Sequence, residues 1–182
     1  MSALGRFRRP PLAFLEPCTD NEANRLASLR AERIVAALEM ARRHPEIYTH
    51  DADSDMAERS AMLDIALRLR ISEDQVRELH GTARWAMRRL PMLWTQARDG
   101  FATMTAVRQV VTHLHAILPA TDAPQELHDA VAAVIAKIDQ AASEWVLTCA
   151  TEAFRRRVKR RIDAISGDLA ARRHTGRWQT AR

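Results

Sequence analysis

The chain has 182 residues, a formal charge of +5 and 47% apolar residues. That apolar share can fill a core and argues against wholesale disorder. No stretch approaches the roughly 20 apolar residues of a membrane span, and prolines break the short apolar run near the basic N-terminus, which excludes a signal peptide. Only 5 glycines occur, and Ala, Leu, Arg and Glu dominate. Their side chains lose little rotamer freedom in a helix, and no alternating β-branched run is present. The pattern predicts an all-α fold: a bundle of about six to seven helices. Reduced cysteines, Cys18 and Cys149, and a cytoplasmic setting are expected.

In chain order, residues 1–18 read as a flexible basic arm, with Arg6, Arg8, Arg9 and three prolines. A helical domain over 19–167 follows. Thr19 and Glu22 have capping-box spacing, and Ala27, Ala31, Ile34, Val35, Leu38 and Ala41 then share one face until Pro45. A second helix is expected near Asp55. Met62, Leu63, Ile65, Ala66, Leu67 and Leu69 cover a wide arc of it, which predicts a largely buried helix. Ser72 and Gln75 form another capping box, for a helix to about Arg89. Pro91 opens a short helix ending before Gly100. Thr103 caps the next, which Pro119 stops, and Pro124 opens another. The last helix runs from about Thr151 to Ile165 with Gly167 at its end, and a basic tail covers 168–182.

The segment from Met62 to Leu79 has the spacing of a helix-turn-helix. Ile65, Ala66 and Leu69 precede the turn, Ile71 lies in it, Ser72 caps, and Val76 and Leu79 follow. Arg70 occupies the place where glycine usually relieves a left-handed backbone. Glu73 and Asp74, on the first turn of the would-be recognition helix, would repel phosphate, although an acid can read cytosine. A corner that serves only packing is the alternative.

A second candidate is the last helix. Phe154, Val158, Ile162 and Ile165 make one apolar stripe, and Arg155, Arg156, Arg157, Lys159, Arg160 and Arg161 cover the rest; Arg172, Arg173 and Arg177 carry the charge onward. Like charges at this density repel at i, i+4 spacing, and phosphate of a nucleic acid would relieve them. The rival readings are pairing with the acidic stretch from Glu46 to Asp64, docking to a protein, and a membrane surface. No HExxH, GxSxG, P-loop or GxGxxG motif occurs, and His113 and His115 point to different faces, so no catalytic site, metal or cofactor is expected. Trp85, Trp94 and Trp145 read as core or interface anchors. Trp178, among arginines, is the one candidate for stacking on a base.

Several of these residues together resemble a known family. Ala66 to Leu69, Ser72, Arg89 to Pro91, Gly100, Thr103 and Arg108, with the stretches TEAFRRRVKRRIDAI and LAARRH, are similar to the domain of unknown function 222, also called the thirteen-E-twelve repeat, which is abundant in actinobacteria. Members carry a further helical part and a C-terminal HNH endonuclease module. The resemblance implies a nuclease-associated, DNA-related role. An HNH site needs histidines and an orienting Asn, yet Asn21 and Asn24 are the only asparagines and no Cys pair could support a zinc. The expectation is a non-catalytic helical module, as a truncated paralogue or half of a split gene would be, that contacts DNA or, alternatively, a protein partner.

Overall fold

The computed structural model describes residues 17–49 and 53–174, with side-chain surroundings for 20–49 and 53–165. Among these residues every regular element is helical: α1 (Pro17–Arg43), a 3-10 turn (Pro45–Ile47), α2 (Ser54–Leu69), α3 (Glu73–Arg89), α4 (Pro91–Arg98), α5 (Met104–His115), α6 (Gln125–Thr148) and α7 (Thr151–His174). The all-α expectation holds.

Two cores share α1. Its Ala31 and Val35 join a large cluster that includes Leu90, Leu93, Trp94, Val107, Val110, Leu114, Ile138, Phe154 and Val158, drawn from α3 through α7. Its Ile34, Leu38 and Ala41 face the other way, into a smaller cluster with Ala61, Met62, Ala66 and Val76. The 3.6-residue period explains this split, since positions one apart on a helix point about 100° from each other. α4 is tied to α1 by Trp94, whose Nε1–H donates to Glu32 Oε1 at 2.9 Å, and by Arg98, whose Nε lies 3.3 Å from the same oxygen.

Several boundaries follow local chemistry. Ser72 and Gln75 make the full capping box expected of them, and Thr103 Oγ1 accepts from Ala106 N–H at 3.0 Å. α2 begins at Ser54, beside the Asp55 expected near its start, and Asp53 caps it by accepting from the backbone N–H of Asp55 and Met56. The end of α3 at Arg89 and the helix starts at Pro91 and after Pro124 also hold, and three boundaries need correction. α1 is already helical at Pro17, so Thr19 lies inside it rather than at its start. α5 ends at His115, short of Pro119. α7 runs through Gly167 to His174, so the glycine ends nothing and part of the expected tail is helix. A glycine costs a helix only about 1 kcal/mol, too little by itself to stop one.

The arc of apolar residues on α2 is also less buried than expected. Met62 and Ala66 are buried, but Leu63 is 48% exposed and Leu67 70% exposed. Among the described elements α2 packs only on α1, α3 and the 3-10 turn, which leaves Leu63 and Leu67 uncovered by them. The expected arm lies mostly in residues 1–16, and it, Arg177 and Trp178 fall outside the described residues.

Candidate nucleic-acid interface

The helix-turn-helix spacing folds as a corner. Ala66 and Val76 are buried in the smaller core, with Ile65, Leu69, Ile71 and Leu79 packed against it. Arg70 takes φ 53° and ψ 44°, the left-handed conformation the spacing predicts, and its N–H and that of Ile71 reach back to the carbonyls of Leu67 and Ala66. Ser72 holds the start of α3. Glu73 and Asp74 are exposed on the first turn, and Asp74 pairs with Arg77 one turn on. The face that would meet a DNA groove therefore opens with carboxylates.

Pro91, Gly100 and Arg108 each have a structural role. Pro91 sits at the first position of α4, where its missing N–H costs nothing. Arg108 donates to Glu78 at 2.6 Å and links α5 to α3. Gly100 has φ +89°, and a Cβ there would lie 2.2 Å from the backbone oxygen of Asn21. Asn24 Nδ2 in turn donates to the Gly100 carbonyl at 3.0 Å.

α7 has the clearest charge asymmetry. Phe154, Val158 and Ile162 are 1%, 0% and 3% exposed and anchor it against α5 and α6. Burying a phenylalanine fully is worth about 1.5–3 kcal/mol. The anchor leaves the basic positions outside: Arg155, Arg156, Arg157, Lys159, Arg160 and Arg161 are all exposed. Only Arg155 has an ion pair among the described residues, with Glu152 at 2.9 Å. Arg157 is held differently. Its guanidinium lies 5.4 Å from the Trp145 ring centroid, and an N–H donates to Cys149 Sγ at 3.3 Å. Arg156, Arg157, Lys159 and Arg160 border one recess of about 660 Å³ on this face.

The acidic stretch from Glu46 to Asp64 does not reach this helix. Among the described residues α7 touches neither α1 nor α2, and two of the carboxylates are engaged locally: Glu58 by Arg42 at 2.5 Å, Asp64 by Arg68 at 2.9 Å. Among the described residues no carboxylate of that stretch pairs with the Arg face. Arg172 and Arg173 belong to α7, but their side chains lie outside the described residues.

Three features escaped the sequence reading. Arg157 stacked on Trp145 had a signal only in composition. Asp139, on α6, accepts from the backbone N–H of Met92 and Leu93 at 2.9 and 2.8 Å and so caps α4 from a distant helix. Burial raises its carboxyl above the ordinary value, against the two hydrogen bonds that lower it. His80 is buried on α3, and desolvation lowers its imidazole below the ordinary value. Trp94 and Trp145 serve as the anchors expected, and Trp85 meets His115 edge-on at 5.2 Å.

Among the described residues no group of three His, Cys, Asp or Glu is placed to hold a metal ion, and no helix is long and apolar enough to cross a membrane. Comparison with known proteins returns no matching family model, no matching curated protein and no matching solved structure.

Proposed function

We propose that this chain is a non-catalytic helical module that associates with nucleic acid through the outer face of α7, in the manner of an N-terminal region of HNH nuclease-like proteins. The observation that carries this reading is the exposed row Arg155 to Arg161, in which one cation of six has an ion pair among the described residues. Phosphate oxygens accept guanidinium forks in pairs, and each phosphate contact releases counterions. Arg156, Lys159 and Arg160 border one recess and would follow a backbone together. The kinship with the thirteen-E-twelve proteins rests on the motif residues alone. Sequence reading by α3 is disfavoured, because Glu73 and Asp74 open its exposed turn.

Titration with duplex and single-stranded DNA across a salt series tests this. Non-specific dissociation constants on the order of 10⁻⁴ to 10⁻⁶ M are expected near physiological salt. Replacing Arg156, Lys159 and Arg160 with Gln should weaken binding to all sequences alike and reduce the salt slope by roughly 2 to 3. No binding at low salt, or binding indifferent to these substitutions, refutes the reading. A second reading, docking of a protein partner, draws on Leu63 and Leu67, exposed one turn apart on α2. Apolar docking would change little with salt.

A further inference from the structure

A second basic site is built by other helices. The end of α1 and the facing sides of α2 and α3 enclose an open cavity of about 670 Å³, within the range of small-molecule sites. Five guanidiniums border it, those of Arg42, Arg77, Arg84, Arg88 and Arg89, against one carboxylate, Glu58. Glu58 is taken by Arg42 at 2.5 Å, and Arg77 by Asp74. Arg88 reaches Glu39 only at 3.7 Å. Arg84 and Arg89 have no ion pair among the described residues. The Nε–H of Arg84 is buried without an acceptor, so of its guanidinium only the terminal N–H groups are left to meet a ligand.

Gly81 supplies an independent observation. It lies in the interior of α3, where glycine is disfavoured, and lines the same cavity. A Cβ at Gly81 would meet nothing within 4 Å, so packing does not require the glycine. Its effect is to leave the α3 backbone bare where it lines the cavity, which permits close approach by a ligand. Trp85, partly buried against the larger core, also lines the cavity.

We propose that this cavity binds a small phosphorylated molecule of the nucleoside diphosphate class, its phosphates on Arg84, Arg88 and Arg89 and its ring against Trp85. Three loosely held guanidiniums match the charge of a diphosphate, and Arg forks suit its oxygens. This site is independent of the α7 reading and shares no residue with it.

Calorimetric titration of the whole chain with ADP and with inorganic pyrophosphate, at low salt, tests the proposal. Both should bind, with ADP tighter through Trp85. Arg84→Gln should weaken both at least tenfold. Gly81→Leu should do the same by covering the bare backbone, with the thermal midpoint unchanged or raised. Arg156→Gln with Arg160→Gln on α7 should leave ADP binding intact. Absence of binding by either probe overturns the proposal, as does binding unchanged in Gly81→Leu. A duplex DNA titration separates the sources of phosphate: if Arg84→Gln weakens DNA binding while neither small probe binds, the cavity is part of a nucleic-acid surface and the small-molecule site is refuted.

Discussion

The turn between α2 and α3 and the two ends of α4 all reverse the chain between helices, and they do so by different means. In the first, every device lies within a few residues: Arg70 in the left-handed conformation, Ser72 and Gln75 exchanging hydrogen bonds. At α4 the devices come from far along the chain. Asp139 of α6 caps its start from 46 and 47 residues away, and its end at Gly100 is pressed beneath α1. Both regions contain a positive φ, the only two among the described residues, yet one holds arginine and the other glycine. Arg70 is exposed, so its side chain has room and pays only backbone strain. Gly100 is buried against the backbone of Asn21, so a side chain has nowhere to go. Backbone conformation alone does not demand glycine; conformation together with contact does.

The sharpest way to break this contrast is Gly100→Ala. It adds a collision with the Asn21 oxygen to a disfavoured φ, and should destabilise the chain by about 3 kcal/mol or more. Urea unfolding monitored by circular dichroism measures it; a loss below about 1 kcal/mol, the size of an ordinary substitution, would mean that α1 yields at this point.

Next comes Asp139→Ala, which strips the N–H groups of Met92 and Leu93 of their acceptor and should cost about 2 kcal/mol at neutral pH. The same residue gives a pH signature. Its folded value is raised, so the folded chain binds the proton more tightly than the unfolded one. The associated stability is present below the ordinary value of 3.8 and is lost as pH rises through the raised folded value. Stability of the natural chain minus that of Asp139→Asn should therefore increase on acidification through that window. A flat difference would show that Asp139 titrates alike in both states.

The smallest effect is expected at Arg70→Gly, with the opposite sign. Relief of the left-handed strain, partly offset by the extra freedom of glycine in the unfolded chain, should stabilise by about 0.5–1 kcal/mol. Thermal unfolding would reveal it. A loss of stability would show that the Arg70 side chain makes a contribution of its own.

The legible parts of the candidate interface were those with a helical period. Phe154, Val158 and Ile162 face inward because a 3.6-residue repeat puts them on one stripe, and the arginines between them face outward by the same geometry. The Arg cavity on α3 was only half legible. Arg77, Arg84 and Arg88 share one face of α3 by the same repeat, but Arg42 and Glu58 come from two other helices, and nothing local says that they meet that face. Leu63 and Leu67 misled for a related reason: hydrophobicity marks what could be buried, and only the arrangement of neighbours decides what is.

What the sequence determined by itself was whatever is short in range: helix formation, the capping boxes, the left-handed turn at Arg70, the proline starts and the two-faced α7. Each depends on residues within a turn or two, where backbone hydrogen bonds and side-chain period act directly. Tertiary structure decided which faces meet. It sent α7 onto α5 and α6 rather than the acidic stretch, lent Asp139 to α4, fitted Gly100 under α1 and gathered arginines around Gly81. Those outcomes follow from packing between elements distant in the chain, which the local hydrophobic pattern permits in several ways and only the assembled core selects.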